Sequence, residues 1–253
     1  MKYTQLYGEF KGLTAAAVGV TISVDLSQSW SNVSVYISNN SAEPPDMQYT
    51  RWPAQWYNSD TGKVYKYGGW PYYGYNFSAD LWSFEPGGAT VYWSKESLPS
   101  TTGLSVGSNA PWGSAWTATD STFYSLGGSI IGTGNYVPNI ILSGLVEYDG
   151  SAGTWQNYST SIPGSSPFIN EAQAAFAPNF GKQGIITIVG GASPPQQTFV
   201  YEGGASLRDM SEILLYDPSS NTWYVQRATG DIPPPRTEFC AVGASSDGQT
   251  FEL

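Results

Sequence analysis

Residues 213–223 read ILLYDPSSNTW, and the fold is decided by this stretch. Its apolar first half is typical of a β-strand, and the residues from Asp217 to Asn221 are turn formers. Asp217 can accept backbone N–H groups within the turn, and the indole of Trp223 offers a large apolar surface to a neighbouring sheet. The stretch therefore predicts an antiparallel hairpin in an all-β protein.

The same order of features recurs along the chain. A strand-like run that closes on a glycine pair precedes each of the last three hairpins, and the pairs are Gly68-Gly69, Gly127-Gly128 and Gly190-Gly191; the first hairpin has no such pair ahead of it. The acidic residues that lead the turns are Asp25, Glu85, Asp149 and Asp217, and the tryptophans that follow are Trp30, Trp93, Trp155 and Trp223. A further apolar run precedes each glycine-pair strand, at 54–57, 115–118 and 174–177, and a fourth such run lies at 239–242. Each unit is therefore predicted to be four antiparallel strands, with no room for crossover helices.

These residues resemble the kelch repeat, in the variant found in large fungal proteins of the kelch and galactose-oxidase-like propeller superfamily. The best match is 216–226, YDPSSNTWYVQ, followed by GDIPPPR at 230–236. The resemblance implies a partial kelch-type β-propeller, with about three full blades and incomplete blades at both ends. The predicted boundaries are a partial blade at 1–48, blades at 49–98, 99–162 and 163–230, and one strand of a truncated blade at 231–253. We expect the remaining blades to lie in a longer parent chain.

Composition excludes several functions. The net charge is -10 and the four arginines are scattered, so we expect no nucleic-acid partner and no contact of this segment with a membrane. The chain has no histidine, which argues against copper or zinc sites and against Ser-His-Asp catalysis. The sequence therefore predicts a protein that is not an enzyme and has no cofactor. The apolar neighbours of Cys240 predict a buried, inert thiol.

The candidate site lies in the connections between strands. Turns at one end of the predicted blades are short, whereas connections at the other end, such as 70–79, 129–143 and 192–210, are long. Long loops on a rigid scaffold often carry binding sites. The first contains five aromatics in eight residues, and these are Trp70, Tyr72, Tyr73, Tyr75 and Phe77. They are candidate binding residues for a protein or polysaccharide partner. The alternative is that they only pack the loop onto its blade.

Location and function leave alternatives open. Asn-x-Ser sequons occur at Asn32, Asn39, Asn76 and Asn157 and are candidate N-glycosylation sites. With the low lysine content they favour an extracellular or cell-surface origin over a cytoplasmic one, and the fungal relatives implied by the resemblance are often surface proteins. The predicted function is a binding or scaffold module. The alternatives are part of an oxidase-like propeller enzyme whose metal ligands lie elsewhere, and a purely structural or truncated product.

Overall fold

The computed structural model describes residues 20–24, 29, 31, 34, 37–48, 50–71, 80–87, 90–97, 110–130, 139–159, 162–163, 167–194, 198–199, 205–245 and 248–253. These residues form 21 β-strands and no helix. In chain order the strands are β1 (Val20–Val24), β2 (Ile37–Ala42), β3 (Thr50–Arg51), β4 (Ala54–Asn58), β5 (Lys63–Tyr67), β6 (Trp70–Pro71), β7 (Leu81–Phe84), β8 (Ser94–Glu96), β9 (Ala115–Ala118), β10 (Thr122–Leu126), β11 (Ser129–Ile130), β12 (Asn139–Ile141), β13 (Gly144–Asp149), β14 (Thr154–Ser159), β15 (Gln173–Ala177), β16 (Ile185–Val189), β17 (Ala192–Ser193), β18 (Thr198–Phe199), β19 (Ser206–Leu207), β20 (Glu212–Asp217) and β21 (Thr222–Arg227).

Three four-stranded antiparallel sheets carry the fold. Blade 1 is β4-β5-β7-β8, blade 2 is β9-β10-β13-β14, and blade 3 is β15-β16-β20-β21. An antiparallel pair, β1-β2, precedes them in the chain. Strands in each blade follow one another in sequence order, which is the meander that short turns produce. The all-β, partial propeller architecture expected from the repeat is confirmed.

The blades stand side by side with their first strands together. Strand β9 contacts β4 on one side and β15 on the other. At the first seam, between blades 1 and 2, the rings of Trp56 and Phe123 stack with centroids 3.9 Å apart. At the second seam, between blades 2 and 3, Leu126 and Leu145 are buried in one cluster with Ile188. Burying a side chain of this size contributes about 1.5–3 kcal/mol, so the seams are the main core.

The repeated tryptophans lie at the seams. Trp155 of blade 2 packs on Tyr67 of blade 1, with ring centroids 5.0 Å apart. Trp223 of blade 3 packs against the apolar cluster of the second seam. Trp93, just before β8, faces the β1-β2 pair, and its indole N–H donates to the hydroxyl of Thr21 at 2.8 Å. Trp30 lies outside the described residues. Each of the three described repeat tryptophans therefore joins its own unit to the preceding one.

The glycine pairs join each unit to the following one. The N–H of Gly69 donates to the carbonyl of Pro111 at 3.0 Å, and that of Gly128 donates to the carbonyl of Ile169 at 2.9 Å. Gly191 donates in the same way to Arg236 at 2.9 Å. All six glycines have positive φ. A glycine pair thus ends the second strand of its blade and binds the segment that enters the next blade.

The acidic turns are held by local hydrogen bonds. The Asp217 carboxylate accepts the backbone N–H of Ser219 at 2.9 Å and the hydroxyls of Ser219 and Ser220. These bonds lower the pKa of Asp217. Asp149 accepts the backbone N–H of Ser151 at 2.9 Å. Glu85 is exposed after β7, and Asp25 lies outside the described residues.

Two expectations about the end of the chain are wrong. Residues 239–242 are not a strand, because no described strand pairs with them; only Ala244 and Glu252 form an isolated bridge there. Cys240 is exposed, not buried. Its neighbour Phe239 lies against Gly190 of blade 3, and alternation along an extended chain sends the next side chain outward. Apolar neighbours in sequence therefore misled the prediction about Cys240.

Candidate functional site

The described parts of the long connections form small ribbons at one end of the blades. Strands β3 and β6 pair beside blade 1, and β17 and β19 pair beside blade 3. Strand β12 pairs with β11 of its own connection and with β18 of the next one. We call this end the ribbon face. It is more structured than the loops predicted from sequence, and it links the connections of neighbouring blades.

One backbone position of the ribbon face recurs before each blade. The residue two places ahead of the first strand has positive φ: Trp52 at 53°, Gly113 at 65° and Glu171 at 55°. Glu238, at 53°, occupies the equivalent place after blade 3. Such values are uncommon for residues other than glycine and unusual for a bulky one. The repeat therefore imposes this conformation, and before blade 1 the residue that adopts it is a tryptophan.

Trp52 belongs to an aromatic cluster on the ribbon face. Its side chain is 52% exposed, whereas Trp112, at 1%, is buried beneath it with ring centroids 6.2 Å apart. Trp70 of β6 meets Trp112 edge to face at 4.5 Å and is half-buried. We call Trp52, Trp70 and Trp112 the aromatic cluster. It presents an exposed indole on a buried support, which is a surface that can stack on a flat ligand.

A small cavity whose lining includes the polar or charged residues Thr50, Lys66 and Asp80 adjoins the same ribbon. It has a volume of about 20 Å³, which is room for about one water molecule, and is lined by Met47, Gln48, Thr50, Lys66, Gly68, Asp80 and Trp82. Lys66 is only 4% exposed, and its ammonium donates to the carboxylate of Glu43, 5% exposed, at 3.0 Å. Burial lowers the pKa of Lys66, and the charge of Glu43 opposes that shift. The cavity thus combines an ammonium, a carboxylate and a hydroxyl.

The sequence-predicted ligand residues are placed only in part. Trp70 lies in the aromatic cluster, whereas Tyr72, Tyr73, Tyr75 and Phe77 lie outside the described residues. Of the sequons, Asn157 is exposed on β14 and Asn39 lies on β2, while Asn32 and Asn76 are outside the described residues. Within the described ranges no group of three or more His, Cys, Asp or Glu side chains is arranged to hold a metal. Nor does that part of the chain contain a helix with the length and apolar character needed to cross a membrane.

Sequence reasoning missed Trp52, Thr50 and Lys66. Trp52 would have been found by aligning the residues two places before each first strand, where glycine stands in blade 2. Lys66 occupies the place of Ser125 and Ile188, counted back from the glycine pairs. A lysine at a strand position that is uncharged in the other two blades signals a buried charge. Nothing in the sequence marks Thr50.

No family model matches the chain. A curated protein of Arthroderma benhamiae (strain ATCC MYA-4681 / CBS 112371), described as "Kelch repeat-containing protein", is 27% identical over an alignment of 139 residues, and the match covers 46% of this chain. Its description agrees with the order of glycine pair, acidic turn and tryptophan seen in the three blades. The chain folds as part of a kelch-type β-propeller. The match covers 19% of that relative, so this kelch-type segment spans about a fifth of the curated protein.

One solved structure, titled "Structure of YjhT", is also similar to this kelch-type segment. The two share 10% sequence identity with a TM-score of 0.47, and the match covers 73% of this chain and 52% of that one.

Proposed function

We propose that the chain is a non-catalytic binding module that takes a neutral polysaccharide on the ribbon face. The kelch-propeller fold supports a binding or scaffold role in general. The observation that carries the finer proposal is the half-exposed indole of Trp52, held on the buried ring of Trp112. The C–H groups of a sugar ring pack against the negative face of an indole, and a rigid indole loses little entropy on binding.

Charge selects the class of glycan. The net charge of -10 repels anionic polysaccharides and nucleic acid at moderate salt. A neutral glycan carries no charge and is therefore not repelled. Hydroxyl groups of a neutral glycan also match the polar groups beside the ribbon better than an apolar ligand would.

The same proposal includes the parent protein and the cellular location of the module. The segment would act within a larger protein, exposed at the cell surface of a fungus, with further blades in the parent chain. The sequons and the fungal relative support that setting. Asn157 is an exposed acceptor on an outer strand, which is consistent with glycosylation in a secreted protein.

The test is Trp52→Gly. Glycine already stands at this place before blade 2, so the variant removes the ring and relieves the positive-φ strain without harming the fold. Binding to soluble β-1,3-glucan, α-mannan and chito-oligosaccharides is measured by isothermal titration calorimetry. We expect the glycan that binds the wild-type chain to lose at least tenfold in affinity, as for a hot-spot aromatic residue.

The matched control is Tyr92→Ala. Tyr92 is 80% exposed in the turn before β8, at the opposite end of blade 1, so its removal should leave affinity unchanged. The proposal is contradicted if none of the three glycans binds, or if Trp52→Gly binds as well as the wild-type chain. A protein partner that binds both the wild-type chain and Trp52→Gly would point to protein recognition instead.

A further inference from the structure

The cavity beside the β3–β6 ribbon contains an unsatisfied polar group. It holds the hydroxyl of Thr50, which is buried and has no hydrogen-bond partner. An unsatisfied buried hydroxyl costs about 1–3 kcal/mol, and native structures keep few of them. Replacement by valine would remove that cost with little change in shape. Its presence in a cavity therefore calls for a functional reason.

We propose that this cavity is a hydroxyl-recognising subsite for the sugar unit next to the one that stacks on Trp52. The inference rests on the proposed function, because it assigns a second contact to the same glycan. It adds a specificity determinant that lies apart from the aromatic cluster. The residues that carry it are Thr50, Lys66 and Asp80.

The ribbon places the two contacts at a suitable separation. Thr50 pairs with Pro71, and Arg51 pairs with Trp70, so the cavity and the aromatic cluster border the same two-stranded ribbon. Thr50 and Trp52 are two residues apart, which is roughly 7 Å of extended chain. That distance is close to the size of one sugar ring. A bound oligosaccharide can therefore stack one unit on Trp52 and direct the next toward the cavity.

The polar groups of the cavity match a hydroxyl group. The Lys66 ammonium has three N–H donors, of which described contacts account for two: Glu43 at 3.0 Å and the sulfur of Met47 at 3.5 Å. Asp80 pairs with Lys95 through Oδ2 at 2.7 Å, and its carboxylate has a second oxygen as acceptor. A sugar hydroxyl donates and accepts, so it can satisfy Lys66, Asp80 and Thr50 together.

Charge and size exclude other ligands. An anion would meet the carboxylates of Asp80 and Glu43, and a cation would meet the Lys66 ammonium. Moving a charged ligand out of water costs free energy unless groups of opposite charge surround it. The cavity of about 20 Å³ has room for about one water molecule, so it admits a single hydroxyl group of a sugar unit and not a larger group.

The experiment compares Thr50→Val with Thr50→Ser in the full chain. Valine keeps the shape of threonine and removes the hydroxyl, whereas serine keeps the hydroxyl. Affinity is measured by calorimetry for β-1,3-glucan, α-mannan and chito-oligosaccharides, and thermal unfolding is followed in parallel. We expect Thr50→Val to lose about tenfold in affinity with equal or higher stability, and Thr50→Ser to bind within about threefold of the wild-type chain.

The outcomes separate the subsite from the proposed function. If Trp52→Gly loses binding while Thr50→Val binds like the wild-type chain, the subsite is overturned and the proposed function stands. An equal loss in Thr50→Ser also overturns the subsite, since a packing change then accounts for it. If no glycan binds the wild-type chain, both fail.

Discussion

Glu147 shows how the seams constrain a single ionisable residue. It lies on β13 opposite Tyr124 of β10, and it faces the second seam. Burial raises the pKa of its carboxyl, and the charge of Asp149 adds to the shift. Burial also raises the pKa of Tyr216 to about 12 and raises those of Tyr124 and Tyr158. No arginine or lysine pairs with Glu147 among the described residues. Relative to the unfolded chain, folding therefore favours the neutral form of Glu147.

Stability should consequently depend on the ionisation of Glu147. Because its folded pKa is raised, the stabilising contribution is complete below the unfolded value of 4.5 and is lost as pH rises through the folded pKa. We expect Glu147→Gln to unfold at a higher temperature than the wild-type chain at pH 7, and at the same temperature below pH 4.5. Thermal unfolding at both pH values checks this.

The control is Glu85→Gln, at an exposed carboxyl after β7, which should change neither value. A Glu147→Gln chain that is less stable than the wild-type chain at pH 7 would mean that the charged carboxylate has a stabilising partner.

At the scale of elements, the repeat was largely predictable from sequence. The glycine-pair strands, the acidic-turn hairpins and the first strands appear as β5, β7 and β4 of blade 1 and their counterparts, because short-range turn chemistry fixes them. The ribbons were not predictable. Strands of two residues depend on partners from distant segments, as when Asn139 pairs with Phe199, and carry no periodic signal.

The glycine pairs allow a quantitative test of how elements join. Gly127 and Gly153 both have φ 65°, so alanine costs each about 1–2 kcal/mol in backbone strain. A Cβ at Gly127 would overlap the carbonyl oxygen of Ile169 in the next blade, whereas a Cβ at Gly153 meets nothing within 4 Å. We expect Gly127→Ala to lose about 2–3 kcal/mol more than Gly153→Ala in urea unfolding, because the second seam must open. Equal losses would show that the glycine pair makes no such contact.

For the whole molecule, the site depends on blades held at fixed positions. Trp112, which supports Trp52, precedes blade 2, whereas Trp52 and Trp70 belong to blade 1. The aromatic cluster therefore exists only when the first seam is closed. The sequence predicted the blades, and its proposal of the long connections as binding loops stays a prediction. It did not predict the cluster, because the cluster assembles from three separate segments. Its recognition requires the spatial relation between blades, which no local pattern encodes.

The most direct test of this arrangement is amide hydrogen exchange at Gly127 and Gly128, followed by NMR. The N–H of Gly127 bonds within blade 2, to the carbonyl of Gly144 at 3.3 Å, whereas that of Gly128 bonds across the second seam to Ile169 at 2.9 Å. If the blades stand side by side as one body, both amides will be protected to a similar degree. Protection of Gly127 together with unprotected exchange at Gly128 would show that the blades fold without joining, and would contradict the account.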